Sequence, residues 1–170
     1  MTLDEIGVQL NVDKSRISHC YCDIYERLMK DKKVLKVLEI GILSGNSLRM
    51  WRDFFPWAQV YGIDVNPSQF FQEDRITCII GDQMDKRSLV GAGMEIGGNI
   101  DLIIDDGNHD PIYQAAAVPY LFPFLSQDGV YVIEDIYDPT YLIENLSQYN
   151  PRIIVTHKGG DSTLCILERR

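Results

Sequence analysis

The sequence predicts an α/β fold built on a doubly wound, largely parallel sheet. Five short β-branched runs, each almost continuously apolar, begin near Val34, Gln59, Arg75, Ile100 and Gly129, and each stops at Gly, Asp or Asn. Helix-length segments separate them, and the chain finishes on two further β-rich runs joined by Gly159, Gly160 and Asp161. Continuous apolar runs suit strands buried on both faces. Strand and helix in alternation imply right-handed crossovers, and a Gly-rich turn between β runs implies a hairpin. The expectation is seven strands, five parallel plus a C-terminal antiparallel hairpin, with helices on both faces.

At 170 residues the chain has the length of one domain, 1–170, opened by an N-terminal helical segment, 1–32, on the cofactor side of the sheet. Within that segment Ser18 is the expected cap of a helix carrying Tyr21, Ile24, Tyr25 and Leu28 at helical spacing. Past the first strand come a small-residue turn, Gly41 to Ser47, and a helix through Phe55. Further helices are expected over 66–74, 82–94, 110–125 and 139–148, alternating with strands that end at Asp64, Gly81-Asp82, Asp105-Asp106 and Glu134-Asp135. The runs from Arg152 and Ser162 form the hairpin, with His157 expected as a surface residue on its first strand.

Composition narrows the function. Sixteen basic against twenty-five acidic residues leave a net charge of -9, a field that repels nucleic acid and anionic lipid, so neither is an expected partner. Hydrophobic residues make up 45% and the mean hydropathy is -0.11, an ordinary globular mixture. Asp4 and Glu5 stand where a signal peptide carries basic residues, no apolar run has membrane-helix length, and Cys20, Cys22, Cys78 and Cys165 form no C-x-x-C pair. The chain reads as cytoplasmic, with reduced thiols. Trp57, Phe70 and Phe71 could serve an interface, leaving room for a homo-oligomer, although core packing is the ordinary fate of such residues.

Ligands of open α/β sheets gather beyond the carboxyl ends of the strands. Gly41 and Gly45, with Ser44 between them, make a turn that a ligand backbone can approach, opening a helix N-terminus. The spacing is G-x-x-x-G, without the third glycine of a dinucleotide site. Asp64 at the second strand end can accept both ribose hydroxyls of an adenosine, and Asp82 beside Gln83 suits an adenine edge. Asp105, Asp106, Glu134 and Asp135 crowd two further strand ends, where like charges need a cation, and an oxygen-rich set suits Mg²⁺ or Mn²⁺. His109, three residues past Asp106, is placed to take a hydroxyl proton near neutral pH.

These segments, together with DKSRISHCYCDIYE and IIDDGNHD, resemble the metal-dependent sugar O-methyltransferases of macrolide pathways, within the class I S-adenosylmethionine-dependent methyltransferases. The similarity runs from about Asp13 to Asp138. The resemblance implies a Rossmann-like methyltransferase sheet and an enzyme that uses S-adenosylmethionine and Mg²⁺ (or Mn²⁺) to methylate a hydroxyl of a sugar or glycosylated small molecule. It implies that Asp106, Glu134 and Asp135 hold the metal and that His109 is the base. Glu39 and Gly41 would face the methionine part of the cofactor, Asp64 its ribose, and Asp82 with Gln83 its adenine, with Ser44, Gly45 and Asp105 completing the set. It places His19 and Tyr21 on an N-terminal helix that closes over the cofactor. Asn108 departs from the serine of the D-D-G-S-H version. A catechol-like acceptor would use the same acids, and a non-catalytic cofactor-binding module would keep the fold. A dinucleotide-dependent oxidoreductase is disfavoured by the absent third glycine and the terminal hairpin. The short stretch ahead of the first strand leaves acceptor selection to that segment, to the loops after Asp64 and Asp138, or to a partner subunit.

Overall fold

The computed structural model describes residues 1–169. One seven-stranded sheet runs through it in the order β3-β2-β1-β4-β5-β7-β6. The strands are β1 (Lys36–Ile40), β2 (Gln59–Asp64), β3 (Ile76–Ile80), β4 (Ile100–Asp105), β5 (Leu125–Ile133), β6 (Arg152–Val155) and β7 (Thr163–Glu168). β1 to β5 are parallel, whereas β7 runs antiparallel to both β5 and β6. The strand order reverses between β1 and β4, the place where open α/β sheets leave a crevice.

Alternation along the strands sends side chains to two cores. Val37, Val60, Leu102, Val130 and Ile166 face one side, under α1 (Leu3–Gln9), α2 (Cys22–Met29) and α3 (Asn46–Phe54). Leu38, Ile63, Ile103, Tyr131 and Leu167 face the other, under α4 (Lys86–Ile96), α5 (Pro111–Leu121) and α6 (Pro139–Asn145). Three of these helices start on an aspartate cap. Asp85 accepts from the N–H groups of Arg87 and Ser88, Asp110 from Ile112, and Asp138 from Tyr141; Pro111 and Pro139 occupy the first helical position, where a missing N–H costs nothing.

Three local expectations need correction. Ser18 caps no helix: α2 begins at Cys22 after Tyr21, which makes no side-chain cap bond. Residues 12–21 instead form successive turns, closed where the N–H groups of Tyr21 and Cys22 both donate to the Lys14 carbonyl. Residues 66–74 give only a 3-10 turn over Pro67–Gln69, started by the Asn66 side chain, because Phe70 and Phe71 must turn back onto the core before β3. His157 is exposed as expected, but it lies in the turn beyond β6 and not in the strand. Phe70 and Phe71 are partly buried, while Trp57 stays 77% exposed.

Candidate functional site

A cleft of about 720 Å³ opens over the ends of β1 to β4. Its wall includes the turn Gly41, Ile42, Leu43 and Ser44, then Asp64 to Asn66, Gly81 to Gln83, Asp106 to His109, Tyr113 and Asp135. The N-terminal segment adds Asn11, Val12 and Asp13.

The β1–β3 side is made of strand ends and short turns. Gly41 has φ +94, and a Cβ there would stand 2.2 Å from the Asp106 carbonyl oxygen, so only glycine lets the β1 turn pass β4 this closely. Asp64 fixes that turn through the N–H of Ile42, accepted at 2.9 Å, and its own loop through the N–H of Asn66, accepted at 2.8 Å. Gln83 is held from both sides: its Nε2 donates to Asp105 and its Oε1 accepts from the Asn108 N–H, at 2.7 and 2.8 Å.

Four residues read as ligands lie beneath this surface and form no part of the wall. Glu39 is fully buried, with Oε2 accepting from Trp51 Nε1 at 2.9 Å, because strand alternation turns it into the first core. Gly45 supplies the left-handed residue ahead of α3, roofed by the Phe71 ring. Asp105 supports Gln83 from below and accepts from Tyr131 at 3.4 Å. Burial pushes its carboxyl up to about 8, against the pull of the Gly107 N–H and Gln83. Glu134 points inward, taking hydrogen bonds from Tyr25 and Lys14.

The acid side combines groups remote in sequence. Asp106, His109 and Asp135 bring one ligand atom each to within 4.8 Å of one another. Asp135 sits at φ +53, a left-handed position costly for a residue other than glycine. Its turn is held by the Glu134 N–H on the Asp105 carbonyl and by Gln114 Nε2, which donates to the Glu134 carbonyl at 2.8 Å. Tyr21 donates to Asp135 at 2.7 Å, His19 Nδ1 stands 3.6 Å away, and His109 Nε2 is 4.0 Å from the other carboxylate oxygen. Burial raises the Asp135 carboxyl, opposed first by the Tyr21 hydrogen bond. Among the described residues His109 Nδ1 is buried without a hydrogen-bond partner, which leaves Nε2 as the nitrogen facing the acids. His19 and Tyr21 thus attend the acid side; the N-terminal wall of the cleft is Asn11 to Asp13.

Lys14 lies in the DKSRISHCYCDIYE segment, where the sequence assigns it no role. Its side chain is 1% exposed, and Nζ lies 2.5 Å from Asp106, 2.7 Å from Glu134 and 3.2 Å from Glu39. Burial alone would pull the ammonium down, but the three carboxylates outweigh it and hold Lys14 well above the ordinary lysine value. Burial raises Glu39 to about 7 and Glu134 well above the carboxylate range, with Lys14 opposing both.

Comparisons with known proteins bear on this geometry. The methyltransferase domain family matches residues 38–136. The mycinamicin VI 2''-O-methyltransferase of Micromonospora griseorubida is 35% identical over 144 residues, covering 79% of this chain and 36% of that protein. The demethylmacrocin O-methyltransferase of Streptomyces fradiae shows the same identity and the same coverage. Among solved structures, the MycE methyltransferase of the mycinamycin biosynthetic pathway, in complex with Mg, SAH and mycinamycin VI, superposes with a TM-score of 0.81 at 28% identity, over 99% of this chain and 54% of that one. The chain therefore spans about a third of the length of these curated relatives and about half of the solved one.

Proposed function

The chain belongs to the methyltransferase domain family, and on that premise we propose that it transfers a methyl group from S-adenosylmethionine to a hydroxyl of a sugar or glycosylated small molecule, with Mg²⁺ as the assisting ion. The observation that carries the reading is a single cleft whose wall holds both the Asp64 and Asp82-Gln83 strand ends and the Asp106, His109 and Asp135 set.

The residues fit both groups. The cleft lies in the size range of small-molecule sites. Among the described residues each Asp64 oxygen accepts only one hydrogen bond, which leaves lone pairs for ribose hydroxyls. Gln83, pinned at both ends of its amide, offers a fixed edge beside Asp82. The Asp106 and Asp135 carboxylates supply hard oxygen donors suited to Mg²⁺ or Mn²⁺, with the His109 imidazole beside them left to take a proton. When bound, S-adenosylmethionine supplies an electrophilic methyl group, and the divalent ion supplies Lewis acidity to the acceptor oxygen.

The chain's own part is positioning and proton removal. Asp106 and Asp135 would hold the metal, and Glu134, already engaged with Lys14 and Tyr25, would support them from behind. His109 takes the hydroxyl proton at Nε2, and Asp135, 4.0 Å away, stabilises the imidazolium that results. A related 2'-O-methyltransferase of Streptomyces olivaceus is named for a rhamnosyl tetracenomycin, which supports a sugar hydroxyl over a catechol.

Calorimetry with S-adenosylmethionine, with and without Mg²⁺, followed by turnover on a panel of macrolide glycosides and catechols, tests the reading. Cofactor binding and Mg²⁺-dependent methylation of a glycoside are expected. Binding of NAD in place of S-adenosylmethionine, or full turnover in EDTA, would overturn it.

A further inference from the structure

One cation, Lys14, meets three carboxylates from three adjacent strand ends: Glu39 on β1, Asp106 beyond β4 and Glu134 beyond β5. A buried lysine is rare unless paired, and this one is placed by its own backbone, whose carbonyl accepts from Tyr21 at 2.7 Å and Cys22 at 3.1 Å. The remaining oxygens of the two glutamates point at neutral donors, Tyr25 on Glu134 and Trp51 on Glu39. Nζ takes one oxygen of Asp106, Oδ2; the other accepts no hydrogen bond from the described residues. Asp106 is thereby fixed in rotation beside His109 and Asp135.

We propose that Lys14 is a positioning residue of the acid set: its ammonium, held against Asp106, Glu134 and Glu39, orients Asp106 toward the divalent ion. The proposal rests on the metal reading above. Outer partners that fix a ligand are worth about 10–100-fold in metal affinity. Lys14 reaches neither the cofactor wall nor the cleft surface, so its removal separates the two halves of the site.

The test is Mn²⁺ titration followed by electron paramagnetic resonance on the full chain, alongside S-adenosylhomocysteine calorimetry, for the parent, Lys14→Met and Lys14→Ala. S-adenosylhomocysteine affinity should stay within about threefold while Mn²⁺ affinity falls about tenfold or more in both variants. Methylammonium should restore Mn²⁺ binding to Lys14→Ala, and tetramethylammonium, which cannot donate a hydrogen bond, should not. A purely structural role would give no such rescue. Mn²⁺ binding in Lys14→Met within threefold of the parent, or tighter, overturns the Lys14 assignment alone. A parent that binds S-adenosylhomocysteine but no Mn²⁺ overturns the metal reading and this proposal with it. If neither variant folds, ¹⁵N spectra of the parent decide. A Lys14 ammonium resonance, assigned through its carbon chain, that is protected from water and shifts with Mg²⁺ supports the proposal, and an unprotected one overturns it.

Discussion

The two halves of the cleft are built by opposite means. On the cofactor half, the acids at the ends of β2 and β3, Asp64 and Asp82, stay open to solvent and are steadied by backbone N–H groups a few positions away or across one strand. On the acid half, the carboxylates beyond β4 and β5 are steadied by Lys14, Tyr21 and Tyr25, from 92 to 120 positions earlier in the chain. Solvent can screen an acid at an open rim. An acid sunk below it needs a cation and hydroxyl donors from the protein itself, and only the N-terminal segment is free to bring them.

If the halves are functionally distinct, the largest effects come from the acid side and leave cofactor affinity alone. Asp106→Asn should abolish Mg²⁺-dependent methyl transfer with S-adenosylhomocysteine binding nearly unchanged. His109→Ala should lower turnover by about 10²–10⁴-fold, the range for loss of a general base, and should retain Mn²⁺ binding. Loss of Mn²⁺ together with turnover would instead make His109 a metal ligand, since its ring lies within the same 4.8 Å set.

Gly41 is where the halves touch. A methyl group there meets the Asp106 carbonyl at 2.2 Å on a backbone already at φ +94. Gly41→Ala should therefore cost about 2–4 kcal/mol in chemical denaturation and weaken cofactor and metal together. A variant that loses one and keeps the other would show that the halves are independent even at their junction.

Asp64→Ala addresses the cofactor half alone. It removes one anchor of the β1 turn and one of the loop after β2, as well as the acceptor offered to a ribose. S-adenosylhomocysteine binding should weaken by about 1.5–3 kcal/mol, as for charge-assisted hydrogen bonds, with Mn²⁺ affinity unmoved. Parent-like calorimetry would remove Asp64 as the ribose ligand.

The same contrast explains what could be read from the sequence. The strand runs, their order and the terminal hairpin follow from local apolar patterning, and all seven strands stand where that patterning puts them. Gly41, Ser44, Asp64, Asp82 and Gln83 line the cleft because each belongs to a strand-end motif, and Asp106, His109 and Asp135 do so for the same reason. Glu39, Asp105 and Glu134 share those motifs, yet pleat and turn direct them inward, which residue type cannot reveal. The role of Lys14 is not legible even within the DKSRISHCYCDIYE segment, because a lysine in a polar stretch is ordinarily a solvated side chain and its three partners lie 25 to 120 positions on. Helix α1 was missed because Leu3–Gln9 is too short for a clear period, although Thr2 and Glu5 form a capping box.

The smallest expected effect lies on the open rim, where solvent should make an ion pair cheap to lose. Glu73, just before β3, receives hydrogen bonds from Arg49 at 2.8 Å and Arg52 at 2.7 Å, both on α3. Arg49 in turn covers the Phe71 ring at 4.2 Å, tying the loop after β2 to the helix that follows the β1 turn. The Arg49 hydrogen bond, helped by Arg52, holds the Glu73 carboxyl below its ordinary range. A depressed carboxyl stabilises the fold above its unfolded pKa, and that contribution is lost as pH falls through the folded value. Glu73 is 32% exposed, so screening keeps the contribution to about 0.3–1 kcal/mol. Glu73→Gln should thus be slightly less stable than the parent at pH 7, and the two denaturation midpoints should converge as the pH drops below about 4. The gap should also narrow in 1 M salt, where the Debye length is about 3 Å. A gap that persists at low pH would mean the side chain acts by packing, and a loss well above 1 kcal/mol would show that the rim is not the weakly coupled half.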